Sequence, residues 1–385
     1  MKNLKEKLKN TSVVIVSHTH VTGPPHFLEQ FLKEKVKNLV FIGHPFFYSQ
    51  DIRSFFRQHK KGKLIKEKYA YPLKLPGALY YLKDVFYTFY WLIFLPTTDL
   101  FIGVDNLNAC CGLLLKKLGK TKKVVFYTID YVPQRSPNRF FNSFYHLLDR
   151  LAVKYSDVVW NLSPIMISER EKRGIEKKFR KKQLTVPIGA SLVIKPKPFS
   201  KINRFEIAYL GHVIKRQGVQ LVILALPEIV KKIPKVKLVV IGGGAYIPRL
   251  KQLAKNLKVL DKIEFTGYVK DHGEVEKRLS LSSIAVAPYV DSEDNFVRYT
   301  DPGKVKDYLA AGLPVVITKV PRIAWELEEK RCGMAVNYDK KELAEAVIKI
   351  LSNEDLLKIY RKDAHQLAKE YDWNLIFSRA LKQIL

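Results

Sequence analysis

Acidic residues are scarce in this chain. Only 37 Asp and Glu stand against 67 Lys and Arg, a formal charge of +30 over 385 residues. A surface this basic turns away cationic partners and attracts polyanionic ones: phosphorylated substrates, an anionic membrane face or nucleic acid. The lysines are dispersed over residues 2–9, 60–68, 172–182 and 231–237, with no long uninterrupted basic tail. Cysteine is scarcer still. Cys110 and Cys111 are adjacent in an apolar run and Cys332 stands alone, which excludes a disulfide framework and metal-ligand spacing and reads as buried thiols of a reducing compartment. Long hydrophobic runs are missing as well. The most apolar segment, residues 85–95, is short of the about 20 residues that span a bilayer. It is rich in Tyr, Phe and Trp, so it reads as a buried helix or as one lying at a membrane interface. The charged residues 1–10 lack the apolar core of a secretory signal.

What is present is a globular composition, with 47% hydrophobic residues, in a length that suits two domains. β-branched runs at residues 11–17, 38–43, 99–104 and 123–128 read as buried strands, with helical patterns at 26–37, 109–118 and 139–154 between or after them. The second half repeats the theme. Strands are expected at 205–211, 237–242, 263–267, 284–288 and 315–318, and helices at 219–231, 248–256 and 304–311. This alternation predicts parallel α/β sheets in two Rossmann-like domains, joined by a Pro- and Lys-rich linker at 194–200. Ligands of such sheets bind beyond the C-terminal strand ends, which places a crevice between two domains that face each other.

The richest local signal is Asp301-Pro302-Gly303-Lys304 leading into a short helix that ends in Ala310-Ala311-Gly312, with Pro314-Val315-Val316 opening a strand. A turn at a helix N-terminus presents unpaired N–H groups to an anion. Asp307, one turn further in, suits ribose hydroxyls. Together they outline a nucleotide diphosphate site.

Tyr209-Leu210-Gly211-His212, Gln217-Gly218, Val240-Ile241-Gly242-Gly243-Gly244, Phe265-Thr266-Gly267-Tyr268-Val269, Ala287-Pro288, residues 302–316 and Gly333-Met334-Ala335-Val336 follow in an order that resembles the GT-B glycosyltransferases, family four in particular. The likeness covers the C-terminal half and is looser before it. It implies a sugar transferred with retention from a nucleotide diphosphate sugar (UDP- or GDP-linked), with no other cofactor and no metal. It implies an acceptor domain at 1–195, a donor domain at 196–368 and a terminal helix at 369–385 that returns to the first domain, Trp373 anchoring it.

By that resemblance Gly211, His212, Lys215 and Arg216 belong to the diphosphate loop, with His212 and Gln217 standing where a basic pair is usual. Gly243 and Gly244 allow close backbone approach, Tyr268 and Val269 meet the base, Gly303 and Lys304 hold the leaving diphosphate, Asp307 holds ribose, and Glu326 lies near the donor. Tyr299 occupies the place of the usual sugar-facing carboxylate, for which Asp301 or Asp294 would substitute. Alternatively, Lys304 and Asp307 form a surface pair at i, i+3. In the first domain, Gly23 matches a glycine loop near the diphosphate, and Asp130 stands where a sugar-contacting His is usual. Asp105 and Asn106 are acceptor-side candidates. His18, His20 and His26 cluster near Gly23 without zinc-site spacing. Asp130, Lys304 and Lys215 are the catalytic candidates. The partners expected are the donor, a glycan or lipid-linked acceptor of cell-envelope type and an anionic membrane, contacted peripherally from the cytoplasm. A GT-B nucleotide-sugar epimerase and a non-catalytic basic membrane or nucleic-acid binder are the alternatives. No recognised nucleic-acid motif supports the last.

Overall fold

The computed structural model describes every residue except 1, 20, 21, 77, 194 and 294. His20 and Asp294, and Ile194 of the expected linker, therefore lie outside the described residues. The chain divides into two compact units, Met1–Pro187 with Trp373–Leu385, and Ile188–Asp372.

The first unit is built on an eight-stranded sheet. Its strands are β1 (Ser12–Thr19), β2 (Asn38–Pro45), β3 (Phe55–Lys60), β4 (Lys63–Tyr69), β5 (Thr98–Val104), β6 (Thr121–Thr128), β7 (Val158–Asn161) and β8 (Gln183–Thr185), in the order β4-β3-β2-β1-β5-β6-β7-β8. β1 pairs in parallel with β2 and β5, and Val13, Val14, Ile15 and Val16 along it are almost fully buried. A strand covered on both faces reads as such a continuous apolar run. β3 and β4 are antiparallel and were not expected from the sequence. They form an edge hairpin turning at Lys61 (φ 49°) and Gly62 (φ 83°), and β4 is exposed along its whole length. The helix Trp373–Lys382 packs on the helix Pro24–Lys33 of the same unit. Trp373 stacks on Phe27 with centroids 4.8 Å apart, and Phe377 meets Phe31 at 5.7 Å.

The second unit has a six-stranded, wholly parallel sheet. Its strands are β9 (Glu206–Leu210), β10 (Lys237–Ile241), β11 (Ile263–Gly267), β12 (Ile284–Ala287), β13 (Val315–Thr318) and β14 (Gly333–Val336), ordered β11-β10-β9-β12-β13-β14. Strand order reverses at β9, between β10 and β12. That switch point is where an open α/β sheet leaves a crevice at its C-terminal edge. In the first unit the corresponding place lies at β1, between β2 and β5.

Candidate functional site

At the β9 switch point three loops meet within the second unit. Gly211 follows β9 with φ 127° and donates its N–H to Ile241 O at 2.9 Å, and Val213 N–H reaches Gly243 O at 2.8 Å. A Cβ on Gly242 would lie 2.1 Å from Gly211 O, and one on Gly244 would lie 2.1 Å from Val213 O. Gly242 and Gly244 are thus glycine because two backbone loops are pressed together, whereas a Cβ on Gly243 would come no nearer than 3.4 Å, to Tyr268. Gly218, at φ 81°, starts the helix Val219–Lys232 with its Cα against Pro288 O.

The helix Gly303–Ala310 points its N-terminus at this junction. Val305 N–H turns back to Pro302 O. The N–H groups of Gly303 and Lys304 have no partner among the described residues. Such free donors are the general requirement for binding an anion. The Lys304 side chain crosses to β9 and its following loop. Its Nζ donates to Gln217 Oε1 at 2.7 Å and to Tyr209 OH at 3.3 Å, and lies 4.4 Å from the Tyr209 ring centre. A methyl group at Gly211 would come within 3.0 Å of that ammonium. No carboxylate pairs with Lys304 among the described residues, and burial pushes its pKa down to about 7. The expected i, i+3 pair of Lys304 with Asp307 is not formed. Asp307 is half-buried, its carboxylate without a hydrogen-bond partner among the described residues, and burial raises that carboxyl to about 6, opposed by nearby His272.

Other expected residues are placed differently. Asp301 is expected to face a sugar, but it is buried. Its Oδ2 accepts from Ile188 N–H at 2.9 Å and its Oδ1 pairs with the buried Lys306 at 3.2 Å. Glu326 accepts from Tyr371 OH at 2.7 Å. With Lys306 Nζ 3.4 Å from the Tyr371 ring centre, these groups form an internal polar network beneath the helix Gly303–Ala310. His212, Lys215 and Arg216 are exposed on the β9 loop, Arg216 lying over Phe296 at 4.7 Å. Tyr268 is exposed, its Cβ and backbone beside Gly243. Gln217 looked like a lost cation in the sequence and proves to be the anchor of Lys304. A polar residue between Arg216 and Gly218 carried no sign of that role.

In the first unit, Gly23 has extended backbone (φ −153°), which any residue adopts, and its N–H goes to His26 Nδ1 at 3.2 Å. Pro24 and Pro25 have no N–H, and those of His26 and Phe27 both return to Gly23 O. The anion-holding role expected near Gly23 therefore finds no free backbone donor in that helix turn. Asp105 follows β5 at φ 64°, a strained backbone for a non-glycine residue. Burial, and then repulsion from Asp130, raise its carboxyl to about 6. Asp130 is partly exposed and ion-paired with Arg135. Asn106 is expected to line a crevice, but its side chain turns inward, Nδ2 donating to Tyr145 O at 2.9 Å. The partners of His18 could not be read from the pattern of residues around it. At the end of β1, its Nε2 meets Asp84 at 3.3 Å and its Nδ1 meets Asn108 at 3.2 Å. Asp84 also lies 3.5 Å from the fully buried His44, whose imidazole burial pushes down to about 3.

Residues 204–353 match the family model described as Glycosyl transferases group 1. The chain is 29% identical, over 42% of its length and 36% of the relative's, to an alpha-monoglucosyldiacylglycerol synthase of Streptococcus pneumoniae. It is 25% identical, over 40% of each chain, to a GDP-mannose-dependent alpha-(1-6)-phosphatidylinositol monomannoside mannosyltransferase of Mycobacterium tuberculosis. It thus spans well under half the length of the curated relatives it matches. Solved structures agree over 97% of this chain and 99% of theirs. A sucrose-phosphate synthase from Thermosynechococcus elongatus gives a TM-score of 0.70 at 15% identity, and Anabaena HepE in complex with UDP gives 0.70 at 12%. At those identities the likeness establishes the fold, the GT-B architecture of two parallel-sheet domains.

Proposed function

We propose that this chain, whose residues 204–353 match the model of the glycosyl transferases group 1, moves a sugar from a nucleotide diphosphate sugar to a lipid-linked or cell-envelope glycan acceptor, with retention of configuration. One observation carries the reading. Among the described residues the Lys304 ammonium has neutral partners only, and it belongs to a helix N-terminal turn at the switch point in which two N–H groups are free. Positive charge without a counter-ion suits a departing nucleoside diphosphate, and stabilising that leaving group supplies the main catalytic term. Lys215 and Arg216 reach the same phosphates from the β9 loop, and the backbone at Gly211, His212, Gly243 and Gly244 borders them. Asp307 takes the ribose, and Tyr268 and Val269 the base. With cations and N–H dipoles serving the leaving group, the mechanism invokes no metal. Asp130 is the candidate in the first unit for stabilising positive charge on the transferred sugar, with Asp105 beside it on the acceptor side. Relatives named for diacylglycerol and phosphatidylinositol glycosides support a lipid acceptor, hence peripheral work at the cytoplasmic face of a membrane.

The test is a thermal-shift panel of UDP, GDP and their common sugar conjugates on the wild type and on Lys304→Ala, Asp307→Ala. A ligand that binds only the native state raises the melting temperature by mass action. Stabilisation by one base series, lost in the double variant, is the expected result. A folded wild type indifferent to every nucleotide would sink the transferase reading.

A further inference from the structure

Three helices of the first unit lie side by side: Ala78–Leu92 packs on Asp105–Lys117, which packs on Arg139–Tyr155. A surface helix of a globular protein normally turns its apolar stripe inward and its polar face to water. These helices are apolar on both sides. Inward, Trp91, Leu92, Leu115, Ala152 and Val153 are buried. Outward, Leu82, Phe86, Tyr90 and Phe94 follow at steps of four along and just beyond the first helix, with Phe86 60% and Phe94 83% exposed. Leu114 on the middle helix and Leu118 just past its end are exposed beside that stripe. Phe140 (76% exposed), Phe144, Leu147 and Leu151 carry it along the third. The 85–95 segment singled out in the sequence is thus half core and half surface, and it is one edge of a larger apolar face.

Charge decides what covers that face. Each of the three helices contains one acidic residue, and none is exposed. Asp84 is buried against His18, His44 and Lys83, Asp149 is buried against Arg170, and Asp105 is half-buried in its first helical turn. The exposed charges are all cations: Lys117, Arg139, Arg150 and Lys154. Arg150 donates to Arg173 O at 3.3 Å and Lys182 donates to Lys154 O at 2.8 Å, which joins the third helix to the basic segment 172–182. Among the described residues no helix is long and apolar enough to cross a membrane. A broad aromatic and aliphatic face whose three helices expose no acid, with a rim in which Glu176 is outnumbered by Lys and Arg, has the make-up of a surface that lies in an anionic lipid interface.

We propose that the outer face of these three helices docks on an anionic phospholipid bilayer, aromatic side chains entering the headgroup boundary and the basic rim meeting lipid phosphates. This deepens the lipid-acceptor reading above by naming the surface that meets the membrane, and its test uses no nucleotide, so the two fail separately. The full chain is floated with vesicles of pure phosphatidylcholine and with vesicles of equal parts phosphatidylglycerol and phosphatidylcholine. We expect binding to the anionic vesicles that weakens in high salt. Phe140→Ser, Phe144→Ser, Leu147→Ser together should weaken it by about tenfold or more, since binding scales with inserted apolar area. Arg150→Gln, Lys154→Gln should lower the preference for phosphatidylglycerol. All five positions are exposed, so circular dichroism and melting temperature should match the wild type. Three results would overturn the proposal: no binding to anionic vesicles, a triple serine variant that binds like the wild type, or self-association on a sizing column that the triple variant abolishes, which would mean that a second copy covers the face.

Discussion

Donor affinity should fall as pH rises through 7, with Lys304 setting the size of the effect. In the free protein burial holds this ammonium down to about 7, and its partners Gln217 and Tyr209 offer oxygen lone pairs without a counter-charge. A diphosphate on the adjacent N–H groups of Gly303 and Lys304 supplies that charge and returns the pKa of the complex toward the ordinary lysine range. Well below pH 7 the lysine is charged before and after binding, so it contributes no pH dependence there. Above it, binding must draw a proton from solvent. Each further pH unit then costs about 1.4 kcal/mol, a tenfold loss, until the pKa of the complex is reached. From pH 7, where half the molecules are protonated, to pH 9, the dissociation constant should rise roughly fifty-fold. Titration calorimetry with UDP-glucose and GDP-mannose, in two buffers of different ionisation enthalpy at about pH 8, counts the proton directly. Lys304→Met should bind weakly at every pH and take up no proton. A wild type that binds with unchanged affinity across this range, without proton uptake, would refute the assignment of Lys304 to the phosphates.

Two stability predictions rest on the backbone and on the half-buried Asp105. Asp105 has a folded pKa near 6, above its unfolded value, so the folded state holds the extra proton and loses stability as pH rises from about 4 to about 6. Asp105→Asn keeps a residue that tolerates φ 64° and should melt higher than wild type at neutral pH, with the gain fading toward pH 4; thermal melts across that window decide it. Gly218→Ala would put a Cβ 1.6 Å from Pro288 O on a backbone at φ 81°, and should lose about 3 kcal/mol or more in urea denaturation.

The strand-helix alternation was legible because buried parallel strands must be apolar throughout, and runs such as Val13–Val16 and Val315-Val316-Ile317 leave no other reading. The helix after Pro302 was legible to within a residue, since Gly312 and Pro314 stop it chemically. The β3–β4 hairpin was not. Its strands carry charges where alternation would be sought, and an exposed edge needs no apolar face.

By itself, then, the sequence determined the two α/β domains, the turn at Gly303–Lys304 that opens a helix and the excess of positive charge, all properties of local pattern and composition. Which residue partners which was decided by tertiary structure alone. Lys304 leaves Asp307, three positions away, for Gln217, eighty-seven positions away, because the switch point brings the end of β9 to the N-terminus of that helix. Asp301 turns inward to Ile188 and Lys306, and Gly242 is needed by Gly211. The helices of the first unit are apolar on two sides, so periodicity could not say which side meets water. Only the sheet beneath them chose, and it left the acid-free side outside.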